Sequence, residues 1–582
     1  MKKLMTGNEA FAYGAYLYGV KVAAAYPGTP SSEILANYAN YPNVFAEWSP
    51  NEKVSLDVAI GAAYAGTRAM CTMKHVGMNV AADSLFYAVY TGLKAGLVIV
   101  CADDPNMHSS QNEQDNRNYA KFAKCPMIEP SDSEEAKQFI GIALDMSEQF
   151  DTPVIARSVT RLSHSSTPVE YTDEGPPPPP EEPPVYERDP QKFVMVPANA
   201  RRRHPVVEER LKQLAEFAET TPINYIEPGT SKLGIVSAGV CYHYAKEVFP
   251  DATFLKLGMV YPLPEKLIRE FADQVEKIVV VEELDPFLEE QLKLMGLEVQ
   301  GKDIFPVLGE FSPSLVRSCA VKAGLIEAPP APPELKSNLE RPIRPPMLCP
   351  GCGHRALFYV LREAGVLVTG DIGCYTLAFA PPLSAMHTTG CMGASIGVAH
   401  GIDRAGVKDD VVAVLGDSTF LHSGVHPVID VLYNQGNTTT IISDNNATAM
   451  TGFQEHPGTG KTIQGQPTKI VDPEKLVRGI GYEKVDVCDP YDIDRMEEIL
   501  QDHTRSDEPS VIIARHPCVL STREKHTPPE VDPEICINCG ICLDIGCSPL
   551  VQEEDHVRID TLLCNGCGLC IKVCPQEAII EK

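Results

Sequence analysis

The sequence has no apolar run that approaches the roughly 20 residues of a membrane-spanning helix, so we expect no membrane partner. Near the start of the chain, Asn8 and Glu9 interrupt the apolar stretch that a secretory signal peptide needs. We therefore expect no signal peptide and interpret this stretch as a first helix.

Positive charge is scarce. Lys and Arg total 50 against 78 Asp and Glu, and the net charge is −28 at pH 7. This excess of negative charge argues against nucleic acid and anionic membranes as main partners. A P-loop is missing as well, because Glu455 stands where the pattern that would end in Gly460, Lys461 and Thr462 requires a glycine. We interpret 456–462 as an active-site loop of another kind.

The chain has 582 residues, enough for about three to five domains, and its strand-like and helix-like stretches predict an α/β fold. We place α/β units at 1–170, 231–326 and 347–522, with proline-rich linker regions at 171–230 and 327–346. A small cysteine-dense domain follows at 525–582. In the second unit we expect strands at 233–237, 253–256, 278–281 and 304–307.

The stretch 411–452 carries an informative pattern. Two apolar runs, 411–415 and 439–443, each end in a polar turn, and the residues between them have helical spacing. A strand–helix–strand unit places its strands side by side and parallel, so Asp417 and Asn445 open on the same edge of the sheet. A carboxylate and an amide oxygen at that edge suit Mg²⁺. The alternative is two ordinary turns of any doubly wound sheet.

The cysteine-dense tail contains two CxxCxxC runs, which is the bacterial ferredoxin pattern, where each run lends its fourth cysteine to the other cluster. It predicts two [4Fe–4S] sites, one held by Cys536, Cys539, Cys542 and Cys574 and the other by Cys564, Cys567, Cys570 and Cys547. Four residues separate Cys542 from Cys547 where the pattern has three, and we expect a small loop to absorb the extra residue. A pair of zinc ribbons is the alternative, although zinc sites usually use CxxC pairs.

A second cysteine group precedes and follows the 411–452 stretch. Cys349 and Cys352 have ligand spacing, while Cys374 and Cys518 each follow an expected strand and so fall at the same sheet edge as Asp417. We interpret the four as ligands of a third [4Fe–4S] cluster, the alternative being unrelated buried or turn cysteines. Twelve of the 19 cysteines thus have cluster-like patterns, which indicates a reducing, cytoplasmic protein without a disulfide framework.

Together these motifs resemble the 2-oxoacid:ferredoxin oxidoreductases, most closely the large subunits of the indolepyruvate branch. The resemblance spans the chain through YPGTPSSE (26–33), NEK (51–53), MKHVGMNVAADSL (73–85), CPGCGH (349–354), DIGC (371–374), TAMTGFQEHPGTG (448–460) and HPC (516–518). It implies three doubly wound thiamine-enzyme domains, namely pyrimidine-binding, transketolase C-terminal-like and diphosphate-binding, followed by a bacterial ferredoxin domain.

The resemblance also implies residue roles. Glu52 matches the glutamate that hydrogen-bonds the aminopyrimidine ring of thiamine diphosphate, although on position alone it reads as an acid in a first helical turn. Thr29 matches a position near the substrate, and His75, like His108 and His387, is an acid–base candidate. Asp417, Asn445 and the Ala447 carbonyl match the Mg²⁺ ligands. Further cofactor contacts fall on Gly416, Ser418, Met450 and Thr451, with Ser418 replacing the usual third glycine of a GDG motif.

The implied reaction converts an arylpyruvate such as indolepyruvate, coenzyme A and oxidised ferredoxin to an aryl-acetyl-CoA, CO2 and reduced ferredoxin. We expect a small beta subunit, because a further domain of the family has no counterpart in the chain, together with self-association to α2β2 and external ferredoxin as electron acceptor. Three alternatives stay open at this point: a different 2-oxoacid, a thiamine-dependent decarboxylase or synthase whose clusters are structural, and a pure electron-transfer subunit.

Overall fold

A computed structural model describes residues 1–172, 175–176, 186, 188–328 and 345–581. The chain divides into two compact units, Met1–Leu335 and Lys336–Lys582. Both have the α/β fold with mainly parallel sheets that the sequence predicts. Most of the proline-rich segment after 175 and most of the expected linker 327–346 lie outside the described residues. Within these described ranges, no helix combines the length and apolar content that a membrane crossing requires.

The first unit contains a seven-stranded sheet, here called the first sheet. Its strands are parallel except for one antiparallel edge strand, and their order is Met259–Tyr261, Met127–Ile128, Val154–Val159, Leu97–Asp103, Ala69–Lys74, Val22–Ala25 and Phe45–Trp48. The central strands are buried at every residue, because helices cover both faces of a parallel sheet. Strands Lys2–Thr6 and Ser166–Glu170 form a separate two-stranded antiparallel sheet.

Some of the helices around the first sheet begin at side-chain caps. Thr6 and Glu9 form a capping box at the first helix, and the Asn51 side chain accepts a hydrogen bond from the Val54 N–H. The helices of this part are Gly7–Leu17, Ser32–Tyr38, Glu52–Tyr64, His75–Thr91, Arg117–Ala123, Ser133–Phe150 and Thr160–His164.

The expected linker 171–230 is wrong for much of its length. Its second half forms helices Pro190–Phe193 and Pro197–Ala218 and strand Asn224–Glu227. Pro197 stands in the first helical turn, where a missing N–H costs nothing, and Val207, Leu214 and Ala218 form a buried stripe at helical spacing. The high proline content of this region concealed that periodicity.

A five-stranded second sheet completes the first unit, in the order Val299–Gln300, Lys277–Val281, Leu233–Ala238, Thr253–Leu257 and Asn224–Glu227. Its helices are Gly239–Val248, Glu265–Ala272, Phe287–Leu294 and Pro313–Lys322. The expected strand at 304–307 is wrong: the N–H groups of Ile304 and Phe305 both bond to the Gly301 carbonyl, which closes a turn. The turn buries Phe305 against Phe311, so its apolar residues serve the core without pairing in a sheet.

The second unit is built on a six-stranded, fully parallel third sheet in the order Thr388–Thr389, Leu367–Gly370, Val411–Gly416, Thr439–Asp444, Ser510–Arg515 and Val485–Cys488. The predicted strand–helix–strand unit is present, with helix Val425–Tyr433 joining two adjacent strands. The other helices are Gly353–Ala364, Ala394–Arg404, Asp417–Thr419, Pro473–Ile480, Ile493–Thr504 and Val519–Thr522.

The cysteine-dense tail packs on the third-sheet domain. It has two small antiparallel pairs, Glu530–Val531 with Ile579–Ile580 and Leu550–Gln552 with Val557–Ile559, and a short helix, Leu569–Lys572. The buried Arg355 joins the two parts, because its guanidinium donates hydrogen bonds to the carbonyls of Cys349 (2.8 Å) and Ile545 (3.2 Å). One apolar core therefore runs from helix Gly353–Ala364 into the tail.

Candidate active site

Asp417 lies where strand Val411–Gly416 ends, and Asn445 directly follows the neighbouring strand Thr439–Asp444. The two ends meet as expected: the Asp417 Oδ2 accepts the Asn446 N–H at 2.7 Å and its Oδ1 accepts the Ser418 N–H at 2.8 Å. The Asn445 side chain forms an Asx turn by accepting the Ala447 N–H at 3.1 Å. The hydroxyl of Thr448 donates to that of Ser418, which fixes both loops to each other.

The charge balance at these strand ends favours a cation. The pKa of Asp444 is raised by burial and then by the negative charge of Asp417, so two carboxyl groups lie close together. Arg515 donates a hydrogen bond to Asp444 at 2.7 Å, which neutralises that member of the pair. Asp417 is only 2 % exposed and has the imidazole of His456 at 3.3 Å. A buried carboxylate beside an amide oxygen is a donor set that fits Mg²⁺.

A pocket at the same edge is lined by all four cysteines of the second group, Cys349, Cys352, Cys374 and Cys518, together with Asn445. The four thiols influence one another, since burial and then the neighbouring Cys352, Cys518 and Cys349 raise the pKa of Cys374 to about 12. The Cys518 N–H also donates to the Asn445 carbonyl at 2.9 Å. Crowded buried thiols of this kind lose their protons only against strong positive charge, and a metal cluster supplies that charge.

The tail cysteines line two further pockets in the combinations that the sequence predicts. One pocket contains Cys547, Cys564, Cys567 and Cys570, and the other contains Cys536, Cys539, Cys542 and Cys574. The extra residue between Cys542 and Cys547 is taken up by the 3₁₀ turn Ile541–Ile545 and by Gly546, whose φ is +66°. Within the described residues, no three His, Cys, Asp or Glu side chains are placed to hold a single metal ion. Cysteines spread around a cavity fit a multi-iron cluster better than one zinc ion.

Three predicted residues of the first unit follow adjacent parallel strands of the first sheet. Thr29 comes after strand Val22–Ala25, Glu52 after Phe45–Trp48, and His75 directly after Ala69–Lys74. The carboxyl ends of parallel strands open on one edge, so all three belong to the ligand-binding edge of this sheet.

Glu52 occupies the first turn of helix Glu52–Tyr64 and is only 5 % exposed. Its carboxylate lies against the first turn of the next helix, where a Cβ added at Gly77 would come within 2.7 Å of Glu52 Oε1. Glycine at 77 thus provides the space that the Glu52 side chain occupies. The sequence motif contained this glycine, but only the packing of the two helices gives its reason.

His75 is completely buried, and its Nε2 donates to the Asn112 carbonyl at 3.2 Å. Burial lowers its pKa, so the ring is neutral at pH 7. Beside it, Lys74 donates to the Ser109 carbonyl at 2.6 Å, and the Ser109 hydroxyl donates to the Thr29 carbonyl at 3.2 Å. Burial lowers the pKa of Lys74 to about 8. Thr29 and Lys74 are therefore brought together, and the sequence reasoning missed Lys74.

Four predicted residues remain, namely Met450, Thr451, His108 and His387. Met450 and Thr451 form the short turn Ala449–Thr451 after the Asx turn; Met450 is half exposed and the Thr451 hydroxyl donates to Gln454 at 2.6 Å. His108 lies 3.3 Å from Glu310 on an exposed surface, and the His387 Nδ1 accepts the Val368 N–H at 2.9 Å.

The structure adds two histidines that the sequence reasoning did not select. His354 is buried in the four-cysteine pocket with its Nδ1 3.3 Å from the Cys352 sulfur, and burial lowers its pKa to about 4. His456 accepts the Gly458 N–H at its Nδ1 (3.1 Å), so its Nε2 carries the hydrogen that faces Asp417. These histidines belong to the motifs CPGCGH and EHPGTG. Only the fold shows that they lie beside Cys352 and Asp417.

Comparisons with known proteins agree with this geometry. Residues 13–220 match the family model "Pyruvate flavodoxin/ferredoxin oxidoreductase, thiamine diP-bdg", 371–514 match "Thiamine pyrophosphate enzyme, C-terminal TPP binding domain", and 557–580 match "4Fe-4S binding domain". The indolepyruvate oxidoreductase subunit IorA of Archaeoglobus fulgidus is 41 % identical over 99 % of the chain and 97 % of the relative.

The chain belongs to the 2-oxoacid:ferredoxin oxidoreductase family. As a member of this family it is an oxidoreductase with thiamine diphosphate-binding domains and a C-terminal 4Fe–4S-binding domain. The IorA subunit of Pyrococcus horikoshii is similar at 39 % identity over 99 % of the chain and 96 % of the relative. A 2-oxoglutarate synthase subunit, KorA of A. fulgidus, is 27 % identical over 48 % of the chain and 87 % of the relative.

Proposed function

We propose that this family member is the large subunit of an indolepyruvate-type enzyme. It would oxidatively decarboxylate arylpyruvates with coenzyme A to aryl-acetyl-CoA and CO2, and pass the electrons through its clusters to ferredoxin. The observation that carries the proposal is the four-cysteine pocket at the strand ends that hold Asp417 and Asn445. Electrons released at a cofactor bound there have an acceptor site directly beside it.

Both units are proposed to contact thiamine diphosphate, which when bound supplies a carbon nucleophile and an electron sink. In the first unit, Glu52 hydrogen-bonds the aminopyrimidine ring, while Thr29 and His75 face the substrate. In the second unit, Asp417, Asn445 and the Ala447 carbonyl hold Mg²⁺. The backbone and side chains that orient the diphosphate belong to Gly416, Ser418, Met450 and Thr451.

The surroundings of Glu52 and of the Mg²⁺ ligands support these roles. Glu52 is shielded from water, which strengthens any hydrogen bond that its carboxylate makes to a bound ring. Thr29 is linked through Ser109 to the Lys74 ammonium, so a positive charge lies near the place proposed for a substrate carboxylate. The buried His456 Nε2 lies 3.3 Å from Asp417 and has no hydrogen-bond partner among the described residues, which leaves it available as a donor to a bound diphosphate.

Three [4Fe–4S] clusters are proposed. Cys349, Cys352, Cys374 and Cys518 hold the one beside thiamine, and the tail holds two, with ligand sets Cys536, Cys539, Cys542, Cys574 and Cys564, Cys567, Cys570, Cys547. The three cysteine-lined pockets support this assignment. We assign the pyrimidine-binding domain to 1–170, the transketolase C-terminal-like domain to 231–326, the diphosphate-binding domain to 347–522 and the ferredoxin domain to 525–582.

The proposed partners are a small beta subunit, a second copy of this chain in an α2β2 assembly, and external ferredoxin. The relatives support the first of these, because they are themselves named as subunits. Coenzyme A is the proposed acyl acceptor. The abundance of unpaired thiols supports a reducing, cytoplasmic setting.

The test is a set of 2-oxoacids assayed by viologen reduction with anaerobically purified protein and its beta subunit. We expect indolepyruvate and phenylpyruvate to give the highest kcat/KM, and Glu52→Gln to abolish turnover. Preference for 2-oxoglutarate or pyruvate would overturn the substrate assignment. Turnover without coenzyme A and without cluster reduction would instead favour a decarboxylase whose clusters are structural.

A further inference from the structure

Tyr491 lies between two of the cysteine-lined pockets. It follows strand Val485–Cys488, and its ring stacks on the imidazole of His516 with centroids 4.3 Å apart and planes 6° from parallel. His516 lines the Cys349–Cys352–Cys374–Cys518 pocket, here called the proximal pocket. The ring of Tyr491 is therefore packed behind a side chain of the proximal-pocket wall.

The hydroxyl of Tyr491 lies near the second pocket. Burial raises its pKa, and the thiols of Cys567, Cys352 and Cys547 raise it further. Cys567 and Cys547 belong to the pocket with Cys564 and Cys570, here called the middle pocket, whereas Cys352 belongs to the proximal pocket. Tyr491 also packs against the same apolar core as Cys352, Cys547 and Cys567, so its side chain lies among cysteines of both pockets.

This hydroxyl is an unsatisfied donor. Its oxygen is shielded from solvent and, among the described residues, makes no hydrogen bond of normal length and angle; the Cys567 thiol is the candidate acceptor beside it. A buried hydroxyl without a partner is destabilising, so a native protein normally provides an acceptor. Thiols are weak acceptors, while cluster-bound sulfurs carry negative charge and accept well.

The two pockets are adjacent through the backbone as well. Gly351, between Cys349 and Cys352, lies so close to Asn565, between Cys564 and Cys567, that a side chain at 351 would collide with the Asn565 amide. Gly351 and Arg355 also line the middle pocket. Thus the loop that carries two proximal cysteines also forms part of the wall of the middle pocket.

We propose that the Tyr491 hydroxyl donates a hydrogen bond to the Cys567 sulfur of the cluster in the middle pocket, raising the reduction potential of that cluster so that it is the one that takes electrons from the proximal cluster. This inference rests on the proposed function. Cys349, Cys352, Cys374 and Cys518 would hold the proximal cluster and Cys547, Cys564, Cys567 and Cys570 the middle one, and the pair would supply one-electron transfer in which the electron lost by the first is gained by the second. Tyr491 keeps its proton throughout and is a positioning residue.

The cluster held by Cys536, Cys539, Cys542 and Cys574 is then the last in the series. Cys539 is exposed, and exposed apolar residues surround it in sequence at Ile535, Ile537 and Ile541. An exit to an external carrier is expected where a cluster approaches the surface.

The test is Tyr491→Phe in the full-length protein, followed by an EPR-monitored redox titration of all clusters. We expect the midpoint potential of one cluster to become more negative, because loss of a hydrogen bond to sulfur destabilises the more negatively charged reduced state. The potentials of the other two clusters and the iron content are expected to equal those of the wild type. A Cys567→Ser variant identifies the affected signal as that of the middle cluster.

The matched control is Tyr482→Phe, which removes a buried hydroxyl that bonds to the Val428 carbonyl at 2.9 Å in a different part of the core. It is expected to leave all three potentials unchanged. Unchanged potentials in Tyr491→Phe would overturn the inference, and so would loss of four irons, because the hydroxyl would then maintain the cluster instead of adjusting it. Neither the redox titration nor the iron assay requires thiamine diphosphate or a substrate. A failure of the proposed reaction would therefore be distinguishable from a failure of this inference.

Discussion

At the scale of single residues, the candidate site depends on a glycine as well as on functional side chains. Glu52 has room for its carboxylate because position 77 has no side chain; an added Cβ would lie 2.7 Å from Glu52 Oε1. Gly77 stands in the first turn of helix His75–Thr91, and a glycine within a helix costs about 1 kcal/mol of helix stability relative to alanine. The space that it leaves offsets that cost.

Gly77→Ala is therefore expected to be harmful although alanine is the better helix former. The methyl group displaces the Glu52 carboxylate, and misplacement of a catalytic group by about 1 Å can lower a rate on the order of 100-fold. Steady-state viologen reduction and calorimetric binding of thiamine diphosphate would measure the loss. The control is Gly61→Ala, since nothing lies within 4 Å of a Cβ added there. Equal activities of both variants would contradict the proposed packing.

Lys74 predicts a particular pH dependence of stability. Burial lowers its pKa to about 8 in the folded protein, against roughly 10.4 for an ordinary lysine. Between these values the unfolded chain binds more protons than the folded chain, so this residue makes stability rise with pH across that window. Lys74→Met lacks this contribution, and its melting temperature relative to wild type is expected to fall as pH increases from about 8 to 10.

Differential scanning fluorimetry across that pH range would check the Lys74 prediction. Lys53→Met is a suitable control, because the Lys53 side chain is half exposed. A melting-temperature difference for Lys74→Met that stays constant with pH would show that the ammonium is not desolvated as the structure indicates.

At the scale of elements, the loop between Cys349 and Cys352 connects the third-sheet domain to the tail. Gly351 has a φ of +79° and contacts Asn565, and the neighbouring Arg355 donates hydrogen bonds to the Ile545 carbonyl as well as to that of Cys349. Both contacts connect a proximal cysteine loop with the loops of a tail cluster. The tail is thus fixed to the sheet domain at the place where electrons would cross.

Gly351→Ala should weaken this connection for two reasons: its left-handed backbone disfavours a side chain, and the methyl group would collide with the Asn565 amide. We expect a lower melting temperature and a slower reduction of the tail clusters by substrate in stopped-flow absorption, on the order of tenfold. Gly397→Ala, at a helical position with open space, serves as control. Wild-type reduction kinetics in Gly351→Ala would argue against transfer across this loop.

Two segments show how well hydrophobic periodicity along the chain predicts secondary structure. Helix Pro197–Ala218 lies in a region that proline content marks as linker, yet its buried stripe at Val207, Leu214 and Ala218 is readable from spacing alone. The turn at 304–307 is the opposite case. Its apolar residues satisfy a strand pattern, but the hydrogen bonds of Ile304 and Phe305 to Gly301 close a turn that no short apolar run distinguishes from a strand.

For the whole molecule, three cysteine-lined pockets predict an iron content. Four irons for each cluster give about 12 per chain in anaerobically purified protein. Cys374→Ser is expected to lower this to about 8 and to stop substrate-dependent reduction, while dithionite still reduces the tail clusters. Iron and acid-labile sulfide assays measure the first effect and EPR the second. A wild-type content near 8 would remove the proximal cluster from the proposal.

Local spacing along the chain was enough to predict the proposed cluster and cation ligands. Each CxxCxxC run places three candidate ligands in one loop, so the tail sets could be predicted from the sequence, with Cys547 as the offset fourth member of one set. The ends of two adjacent parallel strands, joined by one helix, likewise brought Asp417 and Asn445 together on general rules of chain connection. Family motifs added Glu52, Thr29 and the proximal cysteines.

The tertiary structure alone decided what lies between these motifs. Cys352, Cys374 and Cys518 line one pocket because two strand ends and the start of helix Gly353–Ala364, far apart in the chain, meet at one sheet edge. The space at Gly77, the imidazole of His456 beside Asp417 and the unsatisfied hydroxyl of Tyr491 likewise arise from packing between distant segments. Spacing along the chain records covalent neighbours, whereas the contacts that position a buried group depend on how helices and sheet edges close around it.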